Sequence, residues 1–403
     1  MKNCLVAQSG GPTAAINATL AGVIKGGFLS PDIGTVYGAV CGIEGVLNDN
    51  LINLNTKFCD EENLKLLIQT PASYLGSCRK KLPAPDVDET PYKTIFSVFQ
   101  KHDIGYFFYI GGNDSMDTVD RLNDYAVANN IDIKIMGVPK TIDNDLPETD
   151  HTPGFGSAAK YIAASVREMA QDANVYDLKS VLIIELMGRN AGWLTAASVL
   201  ARTSDNPAPH FIYLPENPFD LEEFLSDVLK KCDEIGNVVV CVSEGIKFAD
   251  GTYVCESTSS GLTDVFNHKN LSGTAKFLEN AVRERLGIKA RAVEMNVSQR
   301  CASHLASKTD LDESVAVGQL AVSYALAGAS GEMMTFKRLS HSPYEVTVES
   351  KDIKKIANLE KTIPSDWITR NDVLSPFITY IKPLIQGEPN VIYKDGLPVH
   401  ITR

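Results

Sequence analysis

Five consecutive apolar residues, Tyr106-Phe107-Phe108-Tyr109-Ile110, run directly into Gly111-Gly112. Behind the glycines the apolar positions Met116, Val119, Leu122 and Ala126 fall three or four apart. An unbroken apolar run of this kind is a strand buried on both faces, and the spacing that follows is the stripe of an amphipathic helix. A further mostly apolar run, Ile133 to Val138, closes a strand–helix–strand unit, for which parallel pairing is expected. The chain is thereby committed to an α/β class of fold.

Glycines at such a turn let the backbone approach a ligand with no Cβ in the way, and the amides opening the next helix face any anion placed there. Gly111-Gly112 is therefore either a phosphate turn or a plain connection. The same layout occurs at the start of the chain. Leu5-Val6-Ala7 leads into Ser9-Gly10-Gly11-Pro12, and Ile16, Leu20, Val23 and Ile24 mark a helix whose opening Pro12 is expected to occupy. Open α/β sheets bind ligands at such strand ends, although they also use these turns as simple connections.

Other segments repeat the pattern. Thr35 to Val40 is a strand, and Pro91 to His102 is the helix before the central strand. Tyr74-Leu75-Gly76-Ser77-Cys78-Arg79-Lys80-Lys81 sets three cations beside a glycine. They form either a solvated loop or a phosphate-facing one, in which Arg79 is the best candidate because a guanidinium pairs with two phosphate oxygens at once. The strand ending at Val138 is followed by Pro139-Lys140-Thr141-Ile142-Asp143-Asn144-Asp145. In an extended segment Thr141, Asp143 and Asp145 share one side, and paired carboxylates suit general base work, whereas a bent segment makes them a turn or capping cluster.

His151 to Ser157 is a glycine-rich entry to a helix through Ile162, Val166 and Met169. Val181 to Leu186, apolar apart from Glu185, stops at Met187-Gly188-Arg189, and Val238 to Val242 stops at Ser243-Glu244-Gly245. Ala290 to Asn296 is expected as a strand, Asp312 to Leu326 as a helix, Tyr344 to Val348 as a late strand, and Ile363 to Glu388 as a tail packed back on the body.

A chain of 403 residues exceeds one typical domain, so two lobes are expected. The net charge of −12 argues against nucleic acid and anionic membrane as partners, and leaves any anionic substrate to local cations and backbone amides. No apolar stretch approaches the roughly 18 residues of a membrane span, and no cleavable leader opens the chain, so a cytoplasmic protein is expected. Eight scattered cysteines form no Cys-x-x-Cys pair, and the seven histidines add no metal-ligand spacing.

In order, Ser9-Gly10-Gly11, Leu75-Gly76-Ser77 with Arg79, Gly111-Gly112-Asn113-Asp114-Ser115, Pro139 to Asp145, Met187-Gly188-Arg189, Ser243-Glu244-Gly245, Arg291 and Arg300 resemble the motifs of the 6-phosphofructokinase family. The match runs from Gly10 to about Arg300 and more weakly to Glu388. Two positions look like the pyrophosphate-dependent branch: Asp114 stands for the last glycine of Gly-Gly-Asp-Gly-Ser, and Lys140 for the glycine of Pro-Gly-Thr-Ile-Asp-Asn-Asp. Asp114 adds bulk and negative charge where the α-phosphate of ATP lies, while Lys140 supplies a cation for a compact diphosphate.

The resemblance implies a phosphofructokinase-like fold of two Rossmann-like lobes, with mainly parallel sheets sandwiched by helices. A pyrophosphate lobe is expected at 1–145 plus about 296–345, and a sugar-phosphate lobe at about 146–295 plus 346–403. The implied reaction moves a phosphoryl group reversibly from pyrophosphate to the 1-hydroxyl of fructose 6-phosphate with Mg2+, as in glycolysis and gluconeogenesis. Asp143 is then the base, with Thr141, Asp145, Lys140 and Arg189 in the catalytic set. Gly11, Arg79, Gly112, Asp114, Ser115 and Lys140 surround pyrophosphate. Thr141, Asp143, Met187, Gly188, Arg189, Glu244, Arg291 and Arg300 bind the sugar phosphate, the last two through its 6-phosphate. Asn113 and Asp114 are the metal candidates. Arg291 is among the groups that a neighbouring subunit supplies in the family, so a homodimer or homotetramer is implied.

Three positions depart from the family pattern. Asn113 stands where many members carry a metal-binding aspartate, Ser180 beside Lys179 where an arginine is common, and Val297 where a sugar-contacting histidine or tyrosine is usual. A looser sugar pocket would also admit sedoheptulose 7-phosphate. The nearest alternative is an ATP-dependent phosphofructokinase that tolerates Asp114 and Lys140. A dehydrogenase lacks support, because no Gly-x-Gly-x-x-Gly follows the first strand. A non-catalytic sugar-phosphate sensor has no use for the Thr141, Asp143, Asp145 set.

Overall fold

The computed structural model describes residues 1–175, 177–257 and 271–403. The chain divides into two compact units, one made of Met1–Ser157, Arg300–Glu360 and Ile385–Arg403, the other of Ala158–Gln299 and Lys361–Leu384. Residues 146–157, 346–360 and 385–403, expected in the second lobe, pack with the first, and residues 296–299, expected in the first, pack with the second. In chain order the strands are β1 Lys2–Gln8, β2 Ile33–Ala39, β3 Leu51–Asn53, β4 Ile104–Gly111, β5 Lys134–Pro139, β6 Ser180–Leu186, β7 Phe211–Tyr213, β8 Asn237–Ser243, β9 Lys289–Glu294, β10 Glu332–His341 and β11 Tyr344–Asp352.

The first unit is built on a seven-stranded sheet of order β11-β10-β5-β4-β1-β2-β3. β1 pairs in parallel with β2 and β4, and β5 pairs in parallel with β4 and β10; only the edge strands β3 and β11 run antiparallel to their neighbours. Successive residues of β4 divide between two cores. Phe107 and Tyr109 join Tyr92, Ile95 and Phe99 of the helix Thr90–Lys101, with Met116, Val119 and Leu122 of the helix Asn113–Ala128. Phe108 and Ile110 join Ile16, Leu20 and Val23 of the helix Ile16–Leu29, with Val317 and Ala321 of the helix Lys308–Leu326. Both faces are covered, which is why the strand reads as an unbroken apolar run; each such side chain contributes about 2 kcal/mol by leaving water.

The last two helices approach closely because glycines face backbone. A Cβ on Gly22 would lie 2.1 Å from the Val315 carbonyl oxygen, and one on Gly318 2.2 Å from that of Thr19.

The second unit has a four-stranded parallel sheet of order β7-β8-β6-β9. Its core packs Val181 and Ile183 of β6 and Val238 and Val240 of β8 against Phe224 and Val228 of the helix Leu221–Ile235, and Leu278 and Val282 of the helix Thr274–Leu286. The late segment 361–384 returns to this unit, where Trp367, Phe377 and Tyr380 gather round Trp193 with ring centroids 5.5–6.5 Å apart.

Pro12 does not open the first helix; the helix begins at Ile16, four residues later. β10 was not foreseen, because its first half is buried on both faces and its second half alternates, so neither period runs the length of the strand.

Candidate active site

In the first unit the chain order reverses direction across the sheet between β1 and β4, the kind of switch point at which open α/β sheets leave a crevice beyond their strand ends. The turns after β1 and β4 meet there. Ser9 N–H donates to the Ile110 carbonyl at 2.9 Å, and Ser115 Oγ donates to Ser9 Oγ at 3.0 Å. Gly10 has φ +74°, a conformation that costs glycine nothing. The Gly76–Arg79 loop closes on the same turn, with Ser77 Oγ donating to the Gly10 carbonyl at 2.6 Å.

Residues not anticipated from sequence fix that loop. Buried Gln8 and Asn17 bond to one another at 3.0 Å, and between them accept the amides of Leu75 and Tyr74 and donate to the Thr70 carbonyl. Buried amides in an apolar region must find partners, but nothing in a lone Gln or Asn discloses which loop they hold.

β5 delivers Lys140 to the same place. Its N–H donates to the Gly111 carbonyl at 2.9 Å, and its Nζ to the Gly11 carbonyl at 2.7 Å. A Cβ on Gly10 would stand 3.2 Å from that Nζ, and one on Gly11 3.3 Å from the Arg300 guanidinium. The glycines thus leave room for two cations. Lys140 is 3% exposed, and burial pushes its ammonium down to about 8; Asp143 and Asp145 work against that shift, while Arg300 and Arg79 add to it. Arg300, expected at the sugar's 6-phosphate, stands in the first unit with its guanidinium beside the double-glycine turn.

Gly112 opens the helix Asn113–Ala128 with no side-chain cap, and Asp114, exposed in its first turn, lies where the helix field favours negative charge. Asn113 points its amide elsewhere: Nδ2 donates to the Leu359 carbonyl at 2.8 Å, and Oδ1 accepts the Asn358 amide at 2.5 Å. The side chain pins the 358–359 turn rather than presenting itself as a metal ligand.

The Pro139–Asp145 segment is not extended. It bends at Ile142 and Asp143, and Asn144 has φ +53°, so the alternation that would align Thr141, Asp143 and Asp145 does not apply. A local hydrogen-bond pattern groups Thr141 with Asp143 instead. Thr141 Oγ1 accepts the Asp143 amide at 3.1 Å and donates to Asp143 Oδ2 at 3.4 Å. The loop's return limb lies against it, with Thr152 Oγ1 donating to the Thr141 carbonyl at 2.8 Å and Gly154 bridging to Thr141. Buried Asp310 then accepts the amides of Gly154 and Ser157 at 2.9 Å each.

In the second unit the ends of β6 and β8 converge. Gly188, at φ +140°, donates its amide to Glu244 Oε1 at 3.5 Å, and its carbonyl accepts Ser243 Oγ. Met187 N–H donates to Gln299 Oε1 at 3.2 Å. A Cβ on Gly245 would stand 2.0 Å from the Arg189 carbonyl oxygen, so Met187-Gly188-Arg189 and Ser243-Glu244-Gly245 form one cluster. Arg291 is not part of it. Exposed on β9, it pairs in register with Leu182, five residues before Met187, which puts it about 16 Å down the strand. Glu185, the polar exception in β6, accepts the Ala275 amide at 2.7 Å at the start of the helix Thr274–Leu286; burial pushes its carboxyl up to about 7.

A family model described as phosphofructokinase matches residues 3–324. A protein of Xanthomonas campestris named pyrophosphate–fructose 6-phosphate 1-phosphotransferase is 42% identical, over 99% of this chain and 96% of its own. One of the same name from Halomonas elongata is 41% identical, over 98% of this chain and 94% of its own. The crystal structure of a pyrophosphate-dependent phosphofructokinase from Nitrosospira multiformis superposes with a TM-score of 0.90 at 38% identity, covering 99% of this chain and 96% of that one.

Proposed function

Since the chain belongs to the phosphofructokinase family, we propose that it transfers a phosphoryl group from inorganic pyrophosphate to the 1-hydroxyl of fructose 6-phosphate, giving fructose 1,6-bisphosphate and phosphate. The observation that carries this reading is the buried ammonium of Lys140, held by the Gly11 carbonyl between two double-glycine turns, with Asp114 at the head of the adjoining helix. A buried cation whose proton is held weakly gains most from a small, highly charged anion, which both neutralises it and restores its affinity for the proton. Asp114 opposes an additional anionic group at the helix N-terminus, so a compact diphosphate is preferred to a nucleoside triphosphate.

Phosphoryl transfer asks chiefly for positioning and neutralisation of charge. Asp143, oriented by Thr141 Oγ1, takes the proton of the sugar 1-hydroxyl. The sugar oxygen bonds to the transferring phosphorus as the bridging P–O bond breaks, and the leaving phosphate departs with the electron pair. Gly11, Gly112, Ser115, Arg79 and Lys140 hold the diphosphate, with Arg300 beside Gly11 adding positive charge. Met187, Gly188, Arg189 and Glu244 hold the sugar.

Mg2+ fits as the metal. Among the described residues no group of three or more His, Cys, Asp or Glu could enclose a cation, and Asn113 is engaged with the 358–359 turn. A metal that keeps several waters and binds through substrate phosphates plus one carboxylate needs no such cage, and Asp114 supplies the carboxylate. It adds neutralisation of the diphosphate oxygens.

A homodimer is the minimal assembly in this reading, because exposed Arg291 lies too far down β9 to serve its own chain's Met187–Arg189 cluster. Eight free cysteines fit a reducing compartment such as the cytoplasm. No helix of the described residues is long and apolar enough to cross a membrane. The test is fructose 1,6-bisphosphate formation from fructose 6-phosphate and Mg2+, run in parallel with pyrophosphate and with ATP. Pyrophosphate alone supports turnover under this reading, and turnover with ATP alone refutes the donor assignment.

A further inference from the structure

Outside the phosphate turns, the first unit buries a cluster of ionisable groups that the reaction as described does not use. His151 is 2% exposed, and its ring stacks on Phe336 at a centroid distance of 4.6 Å. Both ring nitrogens face carboxylates, Nδ1 at 2.8 Å from Asp150 Oδ2 and Nε2 at 2.7 Å from Glu313 Oε2. A neutral imidazole has one N–H and satisfies only one of these acceptors; the imidazolium satisfies both.

The surrounding elements tighten the arrangement. From β10, Arg338 donates Nε and Nη2 to Asp150 at 3.0 and 2.8 Å, and its Nη1 lies 3.1 Å from His341 Nδ1. From β11, Tyr344 donates to Glu313 Oε1 at 2.6 Å. Asp310 stands one turn before Glu313 on the helix Lys308–Leu326. Burial opposes the charge on His151, but Glu313 and Asp150 outweigh it and hold the ring at about 9.

The neighbouring residue shows what the cluster anchors. Thr152 donates to the Thr141 carbonyl, and Thr141 in turn sets the Asp143 amide and carboxylate. We propose that His151, as an imidazolium held between Asp150 and Glu313, is a positioning residue that clamps the return limb of the Asp143 loop and so keeps the general base in place. This inference rests on the phosphotransfer reading for the identity of the base. The clamp fails when the ring loses its proton, because Nε2 and Glu313 Oε2, or Nδ1 and Asp150 Oδ2, are then two acceptors in contact.

The experiment is the pH dependence of kcat at saturating fructose 6-phosphate and pyrophosphate, from pH 6.5 to 10, for the wild type and Glu313→Gln. Saturation matters because a bound diphosphate raises the proton affinity of Lys140 and removes its titration from kcat. In the variant Tyr344 and His151 keep a hydrogen-bonding side chain opposite them, but the ring loses one anionic neighbour. The expected result is a kcat plateau near neutral pH, an alkaline limb near 9 in the wild type, and a limb about one unit lower in the variant. At pH 8.5 the variant then retains about threefold less of its plateau rate than the wild type, as simple titration with those constants gives.

A limb that does not move in Glu313→Gln overturns the clamp. If that variant fails to fold, the histidine resonances of the wild type decide: His151, identified by its loss in His151→Gln, titrates together with kcat if it positions the loop, and a separation of more than one unit overturns the proposal. Absence of wild-type turnover with pyrophosphate at pH 7 sinks the phosphotransfer reading instead, so the two failures are distinguishable.

Discussion

Lys140→Met separates binding from stability at the double-glycine turns. The ammonium is buried, and its lowering from 10.5 to about 8 means that folding with the proton in place costs about 3 kcal/mol, at 1.36 per unit. Its hydrogen bond to the Gly11 carbonyl returns about 1.5–2 kcal/mol of that, as charge-assisted bonds do. Methionine fills a similar volume with neither term, so the unliganded variant is expected to be about 1 kcal/mol more stable than the wild type at pH 7. The sign of the pH dependence follows. The folded state binds its proton less tightly than the unfolded state, so the wild-type penalty is complete below pH 8 and fades as pH rises towards 10.5. Urea unfolding at pH 7 and pH 10 measures the difference. Saturating pyrophosphate reverses the ranking at pH 7, stabilising the wild type by mass action and leaving the variant unchanged. A variant less stable than the wild type at pH 7, with a deficit that does not change by pH 10, refutes the account of Lys140 as a strained cation awaiting an anion.

Asp143→Asn is expected to lower kcat by about 10²–10⁴-fold, the usual yield of a positioned general base, while fructose 6-phosphate binding measured by calorimetry stays within a few-fold. Near-normal turnover excludes Asp143 as the base. Gly318→Ala puts a methyl carbon 2.2 Å from the Thr19 carbonyl oxygen, backbone that cannot move aside, so a loss of about 2 kcal/mol or more is expected in urea unfolding; unchanged stability contradicts the tight helix contact.

Much of this was legible in the sequence because strands buried on both faces announce themselves. β4, β5, β6 and β8 all fall within two residues of their apolar runs, and each ends at the glycine or polar turn that the run predicted. The helix Lys308–Leu326 begins four residues before the expected Asp312, since Ser307, which accepts the Asp310 amide, starts it ahead of the apolar stripe. β10 was hidden by mixed burial along its length. The double-glycine turns were readable because glycine pairs are scarce inside regular elements and their conformational purpose is local. What sequence could not reveal was long-range: that Asn113 serves the 358–359 turn, that Gln8 and Asn17 hold the Tyr74–Leu75 segment, and that His151 sits between carboxylates more than 150 positions apart in one direction and adjacent in the other. Periodicity carries information about neighbours in a helix or strand, and none about which distant group a buried polar side chain will meet. The bent course of 141–145 shows the converse: the spacing that groups Thr141, Asp143 and Asp145 assumes an extended chain, whereas a threonine hydroxyl and a left-handed Asn144 bring Thr141 and Asp143 together.

The most direct test of the central claim follows the phosphoryl group itself. The enzyme is incubated with radiolabelled pyrophosphate, fructose 6-phosphate and Mg2+, without nucleotide, and the products are separated. The account predicts label divided equally between fructose 1,6-bisphosphate and orthophosphate; label in orthophosphate alone, with the sugar unlabelled, contradicts it.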